Sequence, residues 1–270
     1  MKRKLLSAPY LVWMAVFVIV PLVMVAYFAF TDEDGRFTLE YVTNVAQYSN
    51  IFIRSIWLAA LSTVICLVIA YPVAFILAGM DLKVQSTMLM IVILSMWMNF
   101  LLRTYAWMTI LGNEGIINTV LGYIGLGPFK MLNTQGAVVL GMVYDYLPYM
   151  ILPLYTVMVK IDKSVLEAAS DLGCNNTKTL FKVVLPLSLP GVMSGITMVF
   201  VPAISTFIIS RMLGGGSNLL IGDLIEMQFL GNSYNPNLGA AISLVLMVII
   251  LLIMTLMNQF DLDDDDRVLM

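Results

Sequence analysis

Residues 164–191 read SVLEAASDLGCNNTKTLFKVVLPLSLPG. This is the longest segment in the second half of the chain that cannot serve as a membrane span. It carries Glu167, Asp171, Lys178 and Lys182, with Lys160 and Lys163 just ahead of it. Ser164 followed three residues later by Glu167 has the form of a capping box, so a helix is expected to begin there. Val165, Ala168, Ala169 and Leu172 recur at helical spacing and predict one apolar face. Gly173 stands where a C-cap glycine stops a helix. A second short helix is expected from about Thr177 to Leu185, and Pro186 marks the start of the next apolar run. The segment reads as a helix–glycine–helix knuckle whose small-residue face is free to meet a partner.

The composition around this knuckle sets the class of the protein. Hydrophobic residues make up 60% of the chain, charged residues only 11%, and the mean hydropathy is +0.93. A soluble domain carries about 25% charged residues, so the chain is an all-α, polytopic membrane protein. Within a bilayer every backbone group must be satisfied internally, which favours helices. The net charge of −3 comes with no basic patch and no glycine-rich phosphate loop, and nucleic acid is not an expected partner. Histidine is absent, which removes the commonest general base and metal ligand; no catalytic residue, metal site or cofactor is expected in the chain. Cys66 and Cys174 fall in different compartments and read as free thiols.

Six apolar runs of crossing length follow one another, at about 10–30, 54–79, 86–111, 135–160, 187–210 and 237–259. Together they predict one membrane domain over 1–270, with the knuckle as a loop over 161–186. The first run follows the basic start Met1-Lys2-Arg3-Lys4. It is too long for a signal-peptide core and reads as a retained helix, with Pro21 a kink. The stretch from Thr31 to Ile53 is polar and reads as external. Between Gly112 and Thr134, Ile116, Ile117, Val120, Leu121 and Ile124 lie at helical spacing, in a segment suited to a surface or re-entrant helix. Arg211 to Pro236 reads as an outer loop, and Asp261 to Met270 as a short acidic tail.

Lysine and arginine orient these spans. With the N-terminus inside, the inner segments hold Lys2, Arg3, Lys4, Lys83, Lys160, Lys163, Lys178, Lys182 and Arg267. The outer ones hold Arg36, Lys130 and Arg211, with Arg54 at a boundary. The positive-inside bias places both termini and the knuckle in the cytoplasm.

Two charges fall within spans, where ionisable side chains mark function or a buried pair. Arg103 lies roughly 12 Å below the outer end of its span and Asp145 roughly 15 Å below the end of its own. Their matched depths suggest that they pair, structurally or beside an aqueous pathway. Aromatics gather near them: Trp97, Tyr105 and Trp107 on one run, Tyr144, Tyr146 and Tyr149 on the other. Trp107 suits an interfacial anchor. A carboxylate between Tyr144 and Tyr146 could attract an organic cation by charge and cation–π contact. Arg103, Asp145, Tyr144, Tyr146 and Trp97 are therefore the candidate substrate pathway.

Glu167-Ala168-Ala169, three residues, Gly173, nine residues and then Val183-x-Leu185-Pro186 resemble the EAA loop of ABC importer permeases. Further segments, spread along the chain in family order, are similar to polyamine-type (spermidine/putrescine) importer permeases. They are Ala70-Tyr71-Pro72-Val73-Ala74, Leu102-Arg103-Thr104-Tyr105-Ala106-Trp107 and Leu185-Pro186-Leu187-Ser188-Leu189-Pro190-Gly191. Pro202-Ala203, Leu213-Gly214-Gly215-Gly216 and Leu220-Ile221-Gly222-Asp223-x-Ile225-x-x-Gln228-Phe229 complete the set. The resemblance implies a type I importer permease of about six spans in a prokaryotic cell membrane. It implies that Glu167, Ala168, Ala169, Gly173, Leu185 and Pro186 form a coupling helix that docks on a cytoplasmic ATPase. The implied partners are a second homologous permease in a heterodimer, an ATPase dimer that binds ATP and Mg, and an extracytoplasmic substrate-binding protein. One departure is Arg211, at a place where the family often carries an acidic residue. Such a cation would repel a polyamine unless it points away or pairs with Asp223 or Glu226.

Other classes fit less well. A helix lying on the membrane surface would need interfacial anchors on the knuckle's small face. An intramembrane enzyme would need a nucleophile, paired carboxylates or metal ligands at depth. A secondary transporter would leave the cytoplasmic knuckle without a role. A permease for a different small solute keeps the architecture and changes only the cargo.

Overall fold

The computed structural model describes residues 8–32, 34–216, 218–231 and 233–268. The basic start Met1 to Lys4 and the last two residues of the acidic tail, both used above, lie outside them. Among the described residues all named elements are helical, and the one bridge outside them joins Thr31 to Phe37. α1 (Ala8–Met14) passes through a π-helical turn (Ala15–Ile19) into α2 (Val20–Ala29). Pro21 sits in the first turn of α2, where its missing N–H is easily accommodated, and the irregular turn lies just before it. A short α3 (Glu40–Asn44) and a 3-10 turn lead into α4 (Ser49–Ala78). Its 30 residues span roughly 45 Å, well beyond the hydrocarbon core.

The run read as one helix over about 86–111 is two: α5 (Leu82–Trp97) and α6 (Phe100–Ile110) meet at 89°. Met98 and Asn99 are extended there, and Asn99 Oδ1 accepts from the amides of Leu101 (2.9 Å) and Leu102 (3.3 Å). A side chain that caps a new helix start stops the old helix from running through it. Next comes α7 (Ile116–Tyr123), whose eight residues reach only about 12 Å and cannot cross. Asn118 ties it down by donating to Gly112 O and Phe129 O, both at 3.0 Å.

α8 (Gln135–Met158) leads to the knuckle. There α9 (Lys163–Asp171), α10 (Asn176–Thr179), a π turn (Leu180–Val184) and α11 (Leu185–Leu187) run into α12 (Leu189–Ser205). The chain bends by 74° between 177–187 and 189–205. The outer stretch from Arg211 is more than a loop: a π turn (Ser210–Gly214) and α13 (Ile221–Leu230) fold back on the body, burying Ile221, Asp223, Leu224 and Gln228. α14 (Pro236–Val268) continues as helix into the segment read as a tail.

Among the described residues four helices are long and apolar enough to cross: Val12–Ala29, Glu40–Ala78, Gln135–Met158 and Pro236–Met257. The count is up to six if each bent pair is one span. The centre is α4 packed on α8 and α12, while α2 and α13 lean on α14. Ala59, Cys66, Ala70 and Ala74 are all fully buried along α4. Small residues let helix backbones approach closely where lipid provides no hydrophobic drive. Cys66 and Cys174 are both free thiols.

Candidate functional site

The knuckle is built by its caps. Asp162, not Ser164, is the N-cap of α9: its Oδ1 accepts the Ser164 amide at 2.9 Å. The Ser164-to-Glu167 capping box is therefore not formed, and Glu167 stays exposed. The helix begins because an aspartate two residues before Ser164 captures an orphan amide first. That hydrogen bond from the Ser164 amide holds the Asp162 carboxyl below its ordinary range. At the other end Gly173 takes φ +80°. The Gly173 amide donates to Ser170 O (2.9 Å) and the Cys174 amide to Ala169 O (3.0 Å). This is a Schellman cap, and its left-handed residue suits glycine.

The expected single apolar face divides into two stripes. Leu166 and Ala169 turn toward the body. Val165 (40% exposed), Ala168 and Leu172 (86% exposed) point away beside Glu167 and Asp171. On the body side, a cavity of about 340 Å³ lies among Phe75, Gly79, Met158, Lys163, Leu166 and Val184. Further on, Leu185 is half-buried and Pro186 exposed. The knuckle is thus a short helix with a bare apolar stripe, ended by a glycine-capped chain reversal.

Within the membrane half, Arg103 on α6 meets Asp145 on α8, with Nε and Oδ1 3.3 Å apart and side chains 5% and 2% exposed. Neither of those atoms has an aligned hydrogen bond, so the contact is a charge pair. Helix geometry separates the aromatics expected around it, since residues two apart on a helix do not share a face. Tyr146 is buried and its hydroxyl donates to Pro202 O at 3.3 Å, tying α8 to α12. Tyr144 faces the other way, edge-on to Trp107 at 5.4 Å. Trp97 is 81% exposed at the end of α5, beyond the break. The structure thus brings Arg103 and Asp145 together with Tyr146 buried nearby, and turns Tyr144 and Trp97 elsewhere.

Arg211 is paired with Glu226 on α13, one guanidinium nitrogen lying 2.6 Å from each carboxylate oxygen. Asp223 is instead turned inward, accepting the Leu220 amide at 2.9 Å. Among the described residues no group of His, Cys, Asp and Glu could hold a metal ion. Sequence reasoning missed Asn99 and Asp162, and each carried a usable signal. A lone Asn within an apolar run and an Asp just ahead of a charged helix start are both N-cap residues.

Apolar helices of crossing length, with the knuckle between the fourth and fifth runs, form the type I fold of ABC importer permeases. The chain belongs to the family of binding-protein-dependent transport system inner membrane components, whose model matches residues 2–262. It is 38% identical to the spermidine/putrescine transport system permease protein PotB of Haemophilus influenzae, covering 89% of this chain and 87% of that one. It is 36% identical to PotB of Escherichia coli, over 88% and 90% of the two chains. The crystal structure of a bacterial ABC transporter involved in import of the acidic polysaccharide alginate shares its fold. The TM-score is 0.79 at 16% identity, over 96% of this chain and 95% of that one. A crystal structure of a bacterial alginate ABC transporter in complex with alginate pentasaccharide-bound periplasmic protein gives a TM-score of 0.81 at 15% identity, over 95% of this chain and 92% of that one. The protein is a multi-pass inner-membrane permease subunit of an ABC importer.

Proposed function

We propose that the chain forms part of the translocation pathway of a polyamine importer for spermidine and putrescine. The observation that carries the cargo is its identity of 38% and 36% with two spermidine/putrescine permeases along almost the whole chain. Arg211, the one departure that argued against a cationic cargo, has its charge offset by Glu226. In this reading both termini are cytoplasmic, a second homologous permease completes the pathway, and a substrate-binding protein delivers cargo from outside. The chain performs no hydrolysis. An ATPase dimer holding ATP and Mg docks on the outward stripe of α9, with Glu167, Ala168, Ala169, Gly173, Leu185 and Pro186 shaping that contact. Closure of the ATPase moves α9, and the spans change their access. Only contacts that differ between the two states can drive such a change.

The test is ATP-dependent uptake of labelled spermidine and putrescine into vesicles holding the assembled complex, with Glu167→Ala alongside. Saturable uptake that falls in the variant supports both cargo and coupling. Uptake of another solute, with none of either polyamine, keeps the permease and discards the cargo.

A further inference from the structure

Two family-like segments, Ala70–Ala74 and Leu185–Gly191, each hold a hydroxyl side chain with no role so far, Tyr71 and Ser188, and the structure brings the two into contact. Tyr71 on α4 and Ser188 are 117 residues apart in sequence, yet their hydroxyls lie 2.9 Å apart. Ser188 is fully buried and is the residue between α11 and α12 at which the chain bends by 74°. Its Oγ also donates to Leu185 O at 3.2 Å, which leaves Tyr71 as the donor in their shared bond. The polar chain therefore runs from Tyr71 through Ser188 to the carbonyl that precedes Pro186.

The bond exceeds what burial alone demands. Leu185 O already satisfies the Ser188 donor, so the serine needs no second partner to be buried at low cost. Each side of the bend has its own mechanical character. Beyond it, α12 lies tight against α8: a Cβ at Gly191 would come within 3.0 Å of Pro153 O and of Val157 Cγ2. Before it, the segment leads back through the π turn to α9. On α4, Pro72 follows Tyr71 directly and withdraws one backbone hydrogen bond from the interior of that helix, near its C-terminal end. The phenol thus grips the bend from the point where α4 is easiest to flex.

We infer that Tyr71 and Ser188 are positioning residues for coupling: their hydrogen bond carries motion of the knuckle into α4, the central helix of the membrane body. The inference rests on the reading of α9 as the ATPase dock. Its test uses the full complex in proteoliposomes, measuring labelled spermidine taken up per ATP hydrolysed. Tyr71→Phe and Ser188→Ala should each lower that ratio by about five-fold or more, with hydrolysis retained. The double variant should be no worse than either single one, because both remove the same bond. Ser188→Thr, which keeps the hydroxyl, should retain the wild-type ratio. A second readout needs no cargo: hydrogen exchange of the vanadate-trapped against the nucleotide-free complex. In wild type, residues 68–75 and 180–188 should both change, and in Tyr71→Phe only the second segment. A wild-type ratio in Tyr71→Phe, additive losses in the double variant, or unaltered exchange at 68–75 would overturn the inference. Where Glu167→Ala and Gly173→Val uncouple but Tyr71→Phe does not, this contact alone falls. Where none of them uncouples, the docking reading falls with it.

Discussion

At the scale of residues, the balance between charge burial and pairing decides what Arg103 and Asp145 tolerate. Two charges at 5% and 2% exposure have lost their water, and removing one partner strands the other. Asp145→Ala should cost about 3–5 kcal/mol, read as a lower melting temperature of the purified protein. Arg103→Met with Asp145→Leu should recover most of that loss. A double variant no more stable than Asp145→Ala would mean that the charges do more than neutralise each other. Gly173 is governed by backbone conformation, since a Cβ there meets open space. At φ +80° a valine is strained by roughly 1–2 kcal/mol, whereas asparagine tolerates such a cap. Gly173→Val should lose transport with the membrane fold intact, and Gly173→Asn should keep most of it. Asp162 sets a pH dependence of known sign. Its carboxyl is held below the ordinary value, so its capping contribution is present above the unfolded pKa and fades as pH falls through the folded one. The Ser164 amide should therefore exchange faster, relative to intrinsic rates, in acid than at neutral pH, and Asp162→Asn should weaken that dependence.

At the scale of elements, the two stripes of α9 make separable predictions. Leu172 is 86% exposed, so Leu172→Ser should leave the melting temperature of the isolated subunit unchanged while weakening co-purification of the ATPase. Ala169 is buried, and a larger side chain there should destabilise the subunit itself by overpacking. Helical periodicity picked out Val165, Ala168, Ala169 and Leu172, but it left out Leu166, which packs on the body, and could not divide the apolar residues between body and partner. That division depends on how α9 lies over the C-terminal ends of α4 and α8, which no local pattern encodes. The break at Asn99 is an opposite case. Its signal is local, a capping residue between two helix-forming runs, and hydropathy averaged over a span conceals it.

At the scale of the whole molecule, the charge asymmetry that orients the spans is a test in itself. In a background with Cys66 and Cys174 replaced by serine, a cysteine at Leu172 should react with a membrane-impermeant maleimide only from the cytoplasmic side. One at Tyr123, which is 85% exposed on α7, should react only from outside. Reversed labelling would invert the topology and remove the ATPase dock from the cytoplasm. The assembly also explains why Tyr144 and Tyr146 do not share a task. They are neighbours in sequence, yet α6 presents Trp107 to one and α12 presents a carbonyl to the other.

The sequence by itself determined the membrane class, the helical fold, the place of the knuckle and the family. These rest on composition, helical period and motif spacing, which are properties of short stretches of chain. Only the tertiary structure decided that Arg211 answers Glu226, that α13 folds back into the body, that Asp145 is closed off by Arg103 and that Tyr71 reaches Ser188. Each of these joins residues on different elements. Such contacts follow from how helices pack and bend against one another, and packing is set by side-chain shape across the whole bundle rather than by any one segment.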